Sequence, residues 1–184
     1  MTTKSGDTAL LIIDVQNVFF DKDGDDYAYC GDEILSRIKG LISRARNAGV
    51  PVIYVQHDED KGLPFEPGKP GWQINPEIAP MKGELVMHKR TPDSFYGTTL
   101  QAELESRGIR KLIIAGFQTE WCIDTTVRRA YSLEYEVMVV EDGHSTCNTR
   151  ILKAPQIIAH HNSIFGGRFA KLRNAKDIDF KSSK

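Results

Sequence analysis

Three residues of this chain make a reaction if the fold brings them together: Asp14, Lys89 and Cys122. A thiol is a strong nucleophile, a carboxylate can take its proton, and an ammonium between them holds negative charge on either. Each follows a short apolar run. Asp14 comes after Leu10-Leu-Ile-Ile13, Lys89 ends Val86-Met-His-Lys, and Cys122 lies shortly past Leu112-Ile-Ile-Ala115. Singly, each has an ordinary reading: Asp14 as a turn former or helix cap, Lys89 as a solvated residue leaving a sheet, Cys122 as a small buried hydrophobe. At the ends of three strands they are the parts of an activated nucleophile. Cys122 sits near a helix start, so the helix dipole and the Lys89 ammonium are expected to stabilise its thiolate. Asp14 is expected to accept the thiol proton and return it to a leaving nitrogen. Backbone N–H groups at the head of the Cys122 helix are expected to hold the oxyanion.

Apolar runs alternate with helical patterns along the whole chain. Strands are expected at Thr8–Asp14, Val52–Gln56, Leu85–His88, Lys111–Ala115, Val137–Val140 and Lys171–Arg173. The first and second are continuously apolar, as in strands covered on both faces. Helices are expected at Glu33–Ala48, Thr98–Arg107, Thr119–Leu133 and Arg150–His160, with Gly49 and Gly108 as stops. Leu63 to Pro80, rich in Pro and Gly, reads as a long loop. Strand–helix–strand alternation implies an α/β fold of three layers, a Rossmann-like parallel sheet with helices on both sides. Ligands on such sheets sit at the carboxyl ends of the strands, where all three residues fall. No G-x-G-x-x-G or P-loop is present, so a dinucleotide or phosphate cradle is not expected.

The 184 residues suit a single domain spanning 1–184, and 40% apolar with 27% charged residues excludes a disordered chain. Twenty-four Lys and Arg balance 25 Asp and Glu to a net charge of −1, no footprint for nucleic acid or an anionic membrane. The longest apolar stretch, around Ala9–Ile13, is far short of a membrane span, and the first residues lack a signal-peptide core. Three widely spaced cysteines form no disulfide framework and no zinc spacing. A cytoplasmic protein without a cofactor is expected.

Ile12-Ile-Asp-Val-Gln16, Val86-Met-His-Lys89 with Ser94-Phe-Tyr-Gly-Thr98, and Gly116-Phe-Gln-Thr-Glu-Trp-Cys122-Ile-Asp-Thr-Thr together resemble the isochorismatase-like cysteine hydrolases over nearly the whole chain. The resemblance implies a six-stranded parallel sheet and an Asp-Lys-Cys triad mapping onto Asp14, Lys89 and Cys122. It also implies a non-proline cis peptide between Phe117 and Gln118, where the oxyanion donors would lie. The family contains amidases of nicotinamide, carbamoyl compounds, biuret and ureidoacrylate, and isochorismatases that cleave a vinyl ether. Cys122 favours the amidase side, with an amide, lactam or carbamoyl substrate and a thioester intermediate. Nicotinamidase-like members carry an Asp-x-His pair and a further His after the second strand as metal ligands. Here that region reads His57-Asp-Glu-Asp-Lys-Gly, so no metal is expected. Tyr54-Val-Gln-His57, Gly71-Trp-Gln, Gln118-Thr-Glu-Trp-Cys and Gln156-Ile-Ile-Ala-His-His161 are similar to a subgroup that includes streptothricin hydrolase.

Substrate-binding candidates are Gln16, Phe19, His57, Trp72 and Glu120. His57 and Phe19 follow strands, Trp72 stands in the Pro/Gly loop as a wall, lid or subunit contact, and a Glu120 carboxylate near the nucleophile would favour a cationic substrate. Cys30 and Cys147 are assigned no chemistry. A loop with Trp72, Phe65 and several prolines is costly to expose, and the family usually assembles, so a homodimer or larger homo-oligomer is expected. Two other readings remain: vinyl-ether hydrolysis with Cys122 dispensable, and a binding protein that keeps the fold without turnover.

Overall fold

A computed structural model describes residues 6–180. Its strands are β1 Thr8–Ile13, β2 Val52–His57, β3 Leu85–Lys89, β4 Lys111–Phe117, β5 Glu136–Ser145 and β6 Lys171–Arg173. The helices are α1 Gly31–Asn47, α2 Leu100–Ser106, α3 Asp124–Ser132 and α4 Ala154–Ile164. All six strands form one parallel sheet in the order β3-β2-β1-β4-β5-β6. This is the doubly wound order, and its direction reverses between β1 and β4.

The continuous apolar runs are explained by which face each residue takes. In β1, Leu10 and Ile12 join one core with Ile34, Leu35, Ile38, Leu41 and Ile42 of α1. Ala9, Leu11 and Ile13 join the opposite core with Leu100 and Leu104 of α2 and Val127 and Ala130 of α3. Neither face meets water, so alternation disappears. At the reversal point β1 and β4 approach so closely that a Cβ on Gly116 would lie 1.9 Å from Ile13 O, and Gly116 also has a φ of +133°. Only glycine fits there.

Boundaries shift where local chemistry overrides the apolar pattern. β1 stops at Ile13, one residue short of the expected end, because Asp14 has a φ of 51°. That left-handed conformation suits Asp better than most residues and takes it out of the sheet. β5 runs on to Ser145, five residues beyond the expected Val140. Its register against β4 jumps from Ile114↔Val139 to Gly116↔His144, a bulge that erases the period of two. Gly143 is required in that bulge, since a Cβ there would meet Val140 Cγ1 at 2.6 Å. α4 begins at Ala154, not Arg150, because Thr149 Oγ1 accepts from the N–H groups of Ile151 and Leu152 and holds a turn.

The Leu63–Pro80 loop contains one short 3₁₀ turn, Pro76–Ile78, and is fastened to the body of the fold at two points. Phe65 packs on Phe19 and His57, and the Trp72 carbonyl accepts from Gln16 and Gln56. Phe65 is thereby covered from within the chain, while Leu63 stays half exposed. No helix of the described residues is long and apolar enough to cross a membrane.

Candidate active site

Three strand ends converge at the carboxyl edge of the sheet. Asp14 turns out of β1 and Lys89 closes β3, two strands away. A lysine is long enough to reach across the end of β2. Its Nζ lies 2.7 Å from Asp14 Oδ2, 3.2 Å from Cys122 Sγ and 3.2 Å from Nδ1 of His57, the last residue of β2. An ammonium has three N–H bonds, and here each has one acceptor. His57 Nδ1 must then present its lone pair, which leaves the proton on Nε2.

Cys122 is brought there by an unusual connection. The Phe117–Gln118 peptide after β4 is cis. A wide turn, Thr119–Ile123, follows it and leads into α3. Gln118 O accepts from the N–H groups of Trp121 and Ile123, the second an i→i+5 bond. Phe117 is fully buried, stacked on Phe19 and edge-on to Phe20.

The charges in this cluster are distributed by burial. Side-chain exposure of Lys89 and Asp14 is 0% and 3%, so their ion pair is almost wholly removed from water. Burial by itself would lower the Lys89 pKa, but the charge on Asp14 and the contacts with Cys122 hold it above the ordinary lysine value. His57 is pushed below its usual pKa by burial and by the Lys89 charge, which keeps it neutral near pH 7. The Cys122 thiol is pushed well up, first by burial and then by the charge on Asp14, against the opposing pull of Lys89. A resting thiolate, expected from the helix start and the lysine, is therefore not what this environment favours. The desolvation of the sulfur outweighs the cation beside it. What the arrangement favours is a protonated thiol next to a carboxylate whose other oxygen, Asp14 Oδ1, is buried and accepts no hydrogen bond among the described residues.

Asp14, His57 and Cys122 also place ligand atoms within 4.8 Å of one another, a set that in another setting would suit a metal. Lys89 Nζ reaches all three by hydrogen bonds, so an ammonium already stands as the cation of this cluster.

Residues 8–154 match the isochorismatase domain. The chain belongs to the isochorismatase family. Among its relatives, streptothricin hydrolase of Streptomyces noursei is 35% identical over 81% of this chain and 52% of its own length. The chain thus spans about half of that relative. Ureidoacrylate amidohydrolase of Pseudomonas syringae pv. syringae is 29% identical over 76% of this chain and 71% of its own. A crystal structure described as a putative isochorismatase hydrolase from Oleispira antarctica superposes with a TM-score of 0.89 at 32% identity, covering 96% of this chain and 97% of the other.

The remaining candidates separate into two groups on this isochorismatase-family fold. His57 is in the cluster itself. Glu120 is two residues from Cys122: its Oε1 accepts from Thr146 Oγ1 at 2.9 Å, and its Oε2 is buried with no hydrogen-bond partner among the described residues. Gln16 is fully buried and spends its amide on backbone, donating to His57 O and Trp72 O and accepting from His57 N. It ties β1, β2 and the long loop together. Phe19, 3% exposed, packs between Phe65 and Phe117 as core. Trp72 donates from Nε1 to Asp58 at 2.7 Å and stacks on His88, on the β3 side of the cluster.

Four residues that sequence reasoning passed over hold the nucleophile turn: His144, Thr146, Cys147 and Asn162. Gln118 Nε2 donates to Cys147 Sγ at 3.4 Å, Thr119 Oγ1 lies 2.9 Å from His144 Nδ1, and Glu120 takes its bond from Thr146. The only signal in the sequence was Gly143-His144 beyond an apolar run, hidden by the β5 bulge.

Burial pushes the His144 pKa down to about 4. An unfolded histidine keeps its ordinary value near 6.5, so between the two values the unfolded state binds more protons. Stability is then complete above the upper value and falls on acidification through this window, by about 3 kcal/mol from this group. Neutral His57 adds in the same direction. Urea titrations on either side of the window should show that loss, and His144→Gln should flatten the slope. A wild-type midpoint independent of pH there would contradict it.

Proposed function

We propose that this protein is a cysteine hydrolase that cleaves a C–N bond of a small amide, lactam or carbamoyl compound through Cys122, Asp14 and Lys89. The observation that carries the reading is the single ammonium bonded to both a thiol and a carboxylate at the strand-order reversal. Asp14 takes the thiol proton as sulfur attacks the carbonyl carbon. Lys89 holds the carboxylate before the transfer and the departing negative charge during it. Donors around Gln118 and the head of the Cys122 turn would face the oxyanion. Collapse expels the nitrogen, which receives the proton from Asp14, and leaves a thioester. Water then attacks, Asp14 accepts its proton, and the acid departs with Cys122 restored. The names of the relatives, hydrolases of streptothricin and of ureidoacrylate, support C–N chemistry.

A panel of amides, lactams, carbamoyl compounds and ureides, run beside Cys122→Ala, tests the reading. With a vinyl ether added to the panel, turnover confined to it and surviving in Cys122→Ala would favour vinyl-ether hydrolysis, and a wild type inert to every class would favour a binding protein.

The reading needs no metal, because Lys89 supplies the cation. Activity should be unchanged after exhaustive chelation; loss restored by zinc or iron would show that the Asp14–His57–Cys122 set binds metal after all. A homodimer or larger assembly belongs to the same reading, and light scattering at micromolar concentration should give at least twice the 20.7 kDa chain mass. A monomer would reject it.

A further inference from the structure

Gln118, Thr119 and Glu120 are each bonded through their side chains to the end of β5 or the two residues that follow it, and the central bond is the most deeply buried. Thr119 is 0% and His144 1% exposed. His144 Nε2 lies 2.8 Å from Asn162 Oδ1 on α4, and Asn162 Nδ2 donates to Glu141 O at 3.2 Å. That second bond orients the amide, so its oxygen must accept and His144 Nε2 must carry the proton. His144 Nδ1 is then a bare lone pair, and Thr119 Oγ1–H is its donor. The relay runs in one direction, from Thr119 through His144 and Asn162 to the backbone of the β5 bulge. Phe165 closes it from the side, its ring edge-on to His144 at 6.0 Å.

We infer that His144 is a positioning residue for the nucleophile: acting through Thr119 Oγ1, it sets where the turn bearing Cys122 sits relative to Asp14 and Lys89. The inference rests on the cysteine-hydrolase reading above. Apolar groups of the same shape would fill this space without any desolvation cost, but would let the turn slide. The turn is wide, with an i→i+5 bond, and so has less hold on itself than an α-helix of the same length. Thr119 is its first residue and Cys122 its fourth, so a shift at one is carried to the other. Neither Thr119 nor His144 is exposed to substrate, and neither exchanges protons in the reaction. Their effect is on distance alone. A displacement of ~1 Å at a reacting atom is enough to cost on the order of 100-fold in rate.

The test compares Thr119→Val, which keeps the shape and loses the donor, with Thr119→Ser, which keeps the donor. Both are assayed on an amide hydrolysed by the wild type, with kcat, KM and thermal midpoint measured together. Thr119→Val is expected to lower kcat roughly 10- to 100-fold with KM within about twofold, while Thr119→Ser stays within about twofold in both. A purely structural role would lower the midpoint and the folded fraction but leave kcat per folded molecule unchanged. Thr119→Val with wild-type kcat, or Val and Ser variants equally impaired, would overturn the inference. If Thr119→Val does not fold, Asn162→Ala on the half-buried helix face decides: it unlocks the His144 tautomer and should lower kcat several-fold at constant KM, and an unchanged kcat would overturn the inference. Cys122→Ala run alongside separates the two levels. If it keeps turnover, the nucleophile reading fails whatever Thr119 does; if it is dead while Thr119→Val is fully active, the positioning inference alone fails.

Discussion

Cys122→Ala is expected to remove turnover of an amide substrate by roughly 10⁴-fold or more, with substrate affinity within a few-fold of the wild type. The size follows from the role: without sulfur there is no covalent intermediate, and what remains is binding and the oxyanion donors. Cys122→Ser should be nearly as damaging, because Asp14 is a poor base for an alcohol proton. The effects of Asp14→Asn and Cys122→Ala should not add, since both remove parts of one proton-and-nucleophile unit. Steady-state rates and equilibrium binding measured on the same samples check this. A Cys122→Ala enzyme within tenfold of wild-type kcat would instead place the chemistry on Asp14.

Lys89→Met should be the most destabilising single change in the site. Methionine replaces most of the stem, but Asp14 Oδ2 then loses its ammonium while Oδ1 already has no partner among the described residues. An uncompensated buried carboxylate costs about 3–5 kcal/mol at neutral pH. That penalty belongs to the charged form alone, so the deficit should shrink as pH falls. Turnover should fall by roughly 100-fold or more, since the charge that accompanies proton transfer is no longer held. Urea denaturation of wild type and variant across the acid range reads the first effect. A variant deficit that stays constant or grows on acidification would mean that Asp14 is not left charged and alone.

Much of this was legible in the residues. β1, β2 and β4 announce themselves because both their faces are dry, and Asp14, Lys89 and Cys122 stand out because chemistry-bearing side chains at the ends of such strands are costly without a use. Other features depend on contacts between distant segments. That Lys89 donates to His57 requires β3 and β2 to be neighbours and a lysine to lie across them. The pairing of Thr119 with His144 spans 25 residues and is masked by a bulge that breaks the strand pattern. The raised thiol pKa has the same origin. Local sequence shows a lysine and a helix start, but the desolvation that outweighs them comes from layers assembled across the whole fold. The loop around Trp72 looks exposed by composition, yet Gln16, Gln56 and Asp58 fasten it from three directions.

The central claim is a covalent bond to one sulfur, and intact-mass spectrometry of the enzyme quenched in acid during turnover of an activated amide or carbamoyl substrate tests it most directly. The account predicts an added mass equal to the acyl group, mapped by peptide digestion to Cys122, absent from Cys122→Ala and discharged by time in neutral water. An acyl group on Cys30 or Cys147, or full turnover with no acyl adduct and an active Cys122→Ala, would contradict it.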